Sequence, residues 1–166
     1  MADKSLIKAA RSAIEKGDSL RLRSLFKEDP DLLNVDTVFG SWLHIATEYG
    51  QLEIVKHLLE MGQDIDCLGG IAESTPLHLA ASEGQFEVAK YLLSKNAKLD
   101  VSAPDKNPLF AAVRSGHESI AKLLLDAGLD ARVIYKGTSG KPKTALSYAL
   151  DWGRQDIALL IENAGK

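Results

Sequence analysis

Cysteine is nearly absent: Cys67 is the only one in 166 residues. A single thiol makes no intramolecular disulfide and no cysteine-based metal site, and it suits a reducing compartment. Also missing is any apolar run long enough for a signal peptide or a membrane span. The opening Met1-Ala2-Asp3-Lys4-Ser5 leads into a mixed segment holding Lys8, Arg11, Glu15 and Lys16. We therefore expect a cytoplasmic protein that is not bound to membranes. No His-x-x-x-His pair and no carboxylate grouping has metal-ligand spacing, so neither a metal nor a cofactor is expected. Basic charge is scarce where nucleic acid would need it: net charge is -3, and between residues 36 and 87 nine acidic residues stand against Lys56 alone. Phosphates would be repelled there, and the stretch of four cations within residues 132–143 is short.

What the chain does contain is repetition. Ser41-Trp42-Leu43-His44-Ile45-Ala46, Thr75-Pro76-Leu77-His78-Leu79-Ala80, Asn107-Pro108-Leu109-Phe110-Ala111-Ala112 and Thr144-Ala145-Leu146-Ser147-Tyr148-Ala149 restate one phrase. Each is followed, four residues after its last Ala, by Gly50, Gly84, Gly116 or Gly153, at spacings of 34, 32 and 37. Gly17, 33 residues ahead of Gly50, opens a fainter fifth copy whose second helix is expected over residues 18–27. A period near 33 residues is that of a stacked helical array.

The phrase at residues 75–80 matches the ankyrin signature letter for letter, and the chain resembles the ankyrin repeat family over nearly its whole length. The resemblance implies an all-α solenoid of about five helix-turn-helix repeats joined by β-turn or hairpin fingers. We expect one domain, residues 1–166, with repeats near 4–34, 35–68, 69–101, 102–134 and 135–166. In the second helices the pairs Leu58-Leu59, Leu92-Leu93, Leu124-Leu125 and, one place shifted, Leu160-Ile161 make an apolar stripe that only stacking buries. Arg21 and Glu162 put polar groups into that stripe in the first and last modules, as caps require, and lead us to expect a complete protein. Gly62, Gly128, Gly165 and, in their place in the third module, Asn96 are expected as left-handed helix ends. Pro76 and Pro108 suit a first helical turn, and Thr75 and Thr144 suit helix caps. Trp42 and Ala145 stand where the family has Pro.

The resemblance further implies a concave surface built from the fingers and the ends of the first helices. On the fingers this nominates Val38 and Phe39, Ile71 and Glu73, Tyr135 and Lys136, with Trp42 beside the first finger. At the helix ends it nominates Glu48, Tyr49, Ser82, Glu83, Arg114, Ser115, Asp151 and Trp152. Tyr and Trp are favoured anchors because they bury a large area at low entropy cost. The plainer alternative packs Tyr49 on Trp42, Phe39 on the next finger and Trp152 on the loop before its helix. The acidic run is either a solvated face or a patch for a partner protein with basic residues.

Catalytic readings find little support. His44 and His78 lie inside the signature, where an imidazole hydrogen-bonds the turn of a neighbouring module, while His57 is placed on a helix surface and His117 in a turn. Residues 137–142 look faintly like a phosphate loop, but Pro142 occupies the Ser/Thr position. Ser147 has no base in view. We expect a protein that is not an enzyme and that, as a free monomer, binds another protein. The reading is a stoichiometric inhibitor or immunity-type neutraliser; the alternatives are an adaptor or secreted effector bridging two proteins and, remotely, an enzyme.

Overall fold

Each copy of the phrase folds into a pair of antiparallel helices because each carries one apolar stripe and a glycine where the chain must reverse. The structure, a computed structural model, describes residues 3–70, 73–136 and 142–164. Among these, the pairs are α1 (Lys4–Glu15) with α2 (Ser19–Glu28), α3 (Trp42–Glu48) with α4 (Leu52–Glu60), and α5 (Pro76–Glu83) with α6 (Phe86–Ser94). They continue with α7 (Pro108–Ser115) and α8 (Glu118–Asp126), then α9 (Ala145–Asp151) and α10 (Gln155–Ala164). A 3-10 helix, Pro30–Asn34, follows α2, and strands β1 (Tyr135–Lys136) and β2 (Pro142–Lys143) pair antiparallel with Tyr135 opposite Lys143. The expected left-handed helix ends are present at Gly62, Asn96 and Gly128; Gly165 lies outside the described residues.

Contacts gather the chain into two compact units, Met1–Pro76 and Leu77–Lys166. In the first, Asp3 and Asp18 cap α1 and α2 by accepting from Ser5 N–H and Arg21 N–H. Ile14, Leu22, Leu25, Leu43, Ile45 and Leu58 are buried in its core, whereas Arg21 faces water as an end module requires. Trp42 also belongs to the core. It is wholly buried, and its indole N–H donates to Leu32 O of the 3-10 helix at 2.6 Å. The expectation that it contacts a partner is therefore corrected: with an apolar body and a donor satisfied from below, the ring turns inward.

In the second unit α7 is the centre, with Pro108, Leu109, Phe110, Ala111, Ala112 and Val113 all buried. Asn107 caps it, accepting from Leu109 N–H, and donates from its amide to Tyr135 Oη at 3.0 Å; Tyr135 in turn donates to Val101 O at 2.8 Å. Tyr135 is thus buried as part of the last finger's root, which corrects its placement among the contact residues. Thr144 caps α9 through a reciprocal pair with Ser147, so the serine at the signature-histidine offset is a helix-capping group. Glu162 is exposed on α10.

One linkage recurs between modules. The residue just after a module's glycine reaches back to the preceding module: Gln51 to Glu15 O at 3.4 Å, His117 to Ser82 O at 3.1 Å and Arg154 to Arg114 O at 3.1 Å. Each accepting carbonyl lies two residues before a glycine, and the reaching side chain covers that glycine. A Cβ on Gly17, Gly84 or Gly116 would stand 2.7 Å from Gln51 Oε1, 2.6 Å from His117 Cε1 or 2.8 Å from Arg154 Cζ. The positive φ is what favours Gly at each of the three, and a Cβ would in addition make the covering side chain shift.

Candidate protein-binding surfaces

The first finger is a tight turn. Thr37 and Gly40 exchange backbone hydrogen bonds at 3.1 and 2.8 Å, and Thr37 Oγ1 both donates to Gly40 O and accepts from Phe39 N–H. This closure pushes Val38 and Phe39 out at the tip, 73% and 42% exposed. The Arg11 guanidinium lies over the Phe39 ring, 4.0 Å from the centroid. Arg11 Nε also donates to Glu15 at 2.8 Å, which holds the guanidinium charge still more firmly, and Tyr49 Oη donates to the same carboxylate at 3.4 Å. A chain of side chains thus runs from the finger tip across α1 to the end of α3, where Glu48 and Tyr49 are exposed.

Behind the finger, His44 is buried. Its Nε2 lies 2.9 Å from Ser74 O, and since a carbonyl only accepts, that nitrogen carries the proton; Nδ1 then accepts from Ser41 Oγ at 2.9 Å. The ring so ties the first finger's base to Ser74 of the second, the structural work expected of the signature histidine. Cys67 Sγ approaches Nδ1 at 3.8 Å, but burial pushes its thiol pKa up, so the pair lacks the thiolate that nucleophilic chemistry needs. Between the two fingers a cleft of about 450 Å³ is lined by Val38 and Leu68 and flanked by Asp36 and Glu73. Glu73 is exposed and takes a φ of 45°, in the left-handed region.

In the second unit an aromatic ladder leads outward from the core. Tyr135 meets Phe110 edge-on at 5.3 Å, Phe110 stacks on Tyr148 at 4.6 Å, and Tyr148 meets Trp152 at 5.9 Å. Trp152, 48% exposed, is the ladder's outer end, so it rests on Tyr148. Lys143 pairs with Asp151 at 3.1 Å and lies 5.3 Å from the Tyr148 ring centroid. Arg132 pairs with Asp130 at 3.1 Å. Two cations of the basic stretch are thereby matched by local carboxylates, while Lys136 is exposed.

Five helix pairs, left-handed glycines at a constant offset and carbonyl clamps from module to module define one architecture, and the family model for ankyrin repeats matches in three overlapping copies, over residues 6–104, 43–135 and 98–166. The chain belongs to the ankyrin repeat family. Ankyrin repeats are protein-protein interaction modules and in general not enzymes. No curated protein matches this one.

Seen as ankyrin modules, the nominated residues divide. Val38, Phe39, Glu73, Glu48 and Tyr49 are exposed in the first unit. Glu83, Arg114, Ser115, Lys136, Asp151 and Trp152 are exposed in the second, with Ser82 half-buried and its carbonyl taken by His117. Ile71 lies outside the described residues, as do residues 137–141 of the last finger, which are all of the phosphate-loop-like segment but Pro142. Sequence reasoning missed Arg11 and Glu15, although Lys4, Lys8, Arg11 and Glu15 recur at the spacing of one helix face. It also missed Asn107, whose role as a bridge to Tyr135 depends on a residue 28 positions away. Among the described residues no cluster of three or more His, Cys, Asp or Glu side chains could hold a metal ion, and no helix is long and apolar enough to cross a membrane.

Proposed function

We propose that this ankyrin repeat protein works by seizing one partner protein and blocking it stoichiometrically, as an inhibitor or an immunity-type neutraliser does. The supporting observation is where apolar area is left exposed. Among the described residues, seven of the ten large apolar side chains left exposed sit on or directly beside the fingers or at first-helix ends: Val38, Phe39, Tyr49, Leu68, Ile134, Leu150 and Trp152. These are the elements that ankyrin modules offer to partners, and exposed aromatics there are suited to anchor an interface. Glu48 beside Tyr49, with Glu73 and Glu83 also exposed, favours basic groups on the partner. A role without catalysis is supported by the engagement of His44 and His117 with carbonyl groups and by the protonated state of the Cys67 thiol. The bridging alternative loses support because Arg132 and Lys143 are paired locally, which leaves less free positive charge at the last finger.

The test is capture from native lysate followed by titration of the captured partner's activity. Activity should fall linearly and vanish at a 1:1 ratio. Tyr49→Ala/Glu48→Lys and, separately, Trp152→Ala should each weaken capture about tenfold, or ~1.4 kcal/mol, without loss of helical content. A partner that stays fully active when saturated would overturn the inhibitor role, and two different proteins held at once would favour an adaptor. Unchanged affinity in both variants would remove the contact assignment.

A further inference from the structure

On the other flank of the first finger from the acidic cleft lies a groove of about 330 Å³, between α1 and residues 37–39. Ile7 and the stems of Lys4, Lys8 and Arg11 form one wall, Val38 and Phe39 the other, with Trp42 beneath, and the lining is almost wholly apolar. Lys4, Lys8 and Arg11 stand on one helix face at spacings of four and three. Lys4 and Lys8 are exposed and have no ion-pair or hydrogen-bond partner among the described residues. The nearby carboxylates are occupied: Asp3 caps α1 through Ser5 N–H, and Glu15 holds Arg11 and Tyr49. The groove therefore combines an apolar floor with a cationic rim on which Lys4 and Lys8 are not ion-paired among the described residues. Its wall is held in place before anything binds, because Glu15 and the Phe39 ring fix Arg11, and a preformed wall lowers the ordering cost of association.

We propose that this groove docks a segment of a partner protein in which one bulky apolar side chain is flanked by carboxylates, the apolar group filling the groove and the carboxylates reaching Lys4 and Lys8. The proposal rests on the reading of the chain as a protein binder and adds a second site of opposite charge preference, so that the first finger separates a surface for basic groups from one for acidic groups. A protein segment fits better than an anionic bilayer. The apolar surface is recessed, with Trp42 fully buried and Phe39 under Arg11, and Asp36 and Glu73 on the adjoining cleft would be repelled by anionic headgroups.

The experiment is a titration of the isotope-labelled full chain with the peptide acetyl-Glu-Glu-Phe-Glu-Glu-amide, followed through backbone amide shifts. Shifts should concentrate at Ile7, Lys8, Val38 and Phe39. Lys4→Glu/Lys8→Glu should weaken binding at least tenfold with an unchanged melting temperature, and replacing the peptide's Phe by Ala should have a similar effect. Lys8→Gln, which adds no acid, keeps the comparison readable should the double reversal disturb α1. No shifts up to the peptide's solubility limit, equal binding of a peptide with Lys in place of Glu, or unchanged binding by the variants would overturn the proposal. So would a preference of the intact protein, lost in the variants, for phosphatidylserine vesicles over the peptide. None of these outcomes touches capture through Tyr49 and Trp152, so failure here and failure of the inhibitor reading are told apart.

Discussion

At Gly84 a single added carbon meets two obstacles. The φ of 76° lies in the left-handed region, which costs an L-residue about 1–2 kcal/mol, and His117 occupies the space a Cβ would take. Gly84→Ala should therefore destabilise by about 2 kcal/mol or more in urea unfolding, because relief of the clash requires breaking the bond from His117 to Ser82 O. A loss below about 0.5 kcal/mol would show that the clamp yields freely. His44 sets the behaviour in acid. Burial first of all holds its pKa below the ordinary 6.5, against the opposing pull of the Ser74 carbonyl and the Asp36 charge, with Ser41 and Cys67 the other polar groups facing the ring. Burial lowers His57 and His78 in the same direction. Above pH 6.5 the rings are neutral folded or unfolded; below it the unfolded chain binds protons that the folded chain refuses, so stability falls as pH falls. Urea unfolding at about pH 7.5 and about pH 5.5 should give the lower free energy in acid, and His44→Asn should flatten the slope while lowering stability at the higher pH. Equal values at both pH for the intact protein would contradict this.

The fingers are the elements in which stability and recognition pull apart. The second finger closes through Gly69 and Ser74, yet Glu73 sits within it at a positive φ that glycine would adopt without strain. Glu73→Gly should stabilise the protein by up to about 1 kcal/mol, less the extra chain freedom a glycine confers on the unfolded state. The same change should weaken capture of a partner with basic groups, since a carboxylate leaves the rim of the cleft. Stabilisation with unaltered capture would mark Glu73 as a solubility charge alone. The last finger behaves differently at its root. Tyr135 is bonded to Val101 and Asn107 and packed on Phe110, so β1 is fixed to α7 before the exposed Lys136 begins.

For the whole molecule the proposed capture of a partner with basic groups makes the kinetics of association depend on charge. The Debye length shrinks from about 10 Å at 0.1 M salt to about 3 Å at 1 M, so an acidic face that draws in a basic partner loses its reach. The association rate with the captured partner should fall as salt is raised, while the dissociation rate, which the proposed anchors Tyr49 and Trp152 would govern, should change less. An association rate indifferent to salt would return the acidic run to solubility. Among the described residues the five helix pairs belong to this scale as well, and the repeat was readable from the spacing of Gly17, Gly50, Gly84, Gly116 and Gly153, while the family was readable from the resemblance of residues 75–80 to the ankyrin signature.

The sequence by itself determined what is local to a module: the period, the apolar stripe of each second helix, and the left-handed positions, including Asn96 in place of glycine. These follow from backbone sterics and from periodicity within one helix, both of which act over a few residues. The tertiary structure alone decided which aromatic residues are inside. Trp42, Phe39, Tyr135 and Trp152 all lie on or beside fingers and helix ends, and residue type does not separate them. Trp42 is withdrawn by Leu32 O and Tyr135 by Val101 O and Asn107, whereas Phe39 and Trp152 find only partial cover from Arg11 and Tyr148. The clamps escaped the sequence for a similar reason: Gln51, His117 and Arg154 are chemically unlike, and their common task appears only when one module's side chain meets a carbonyl of the module before it.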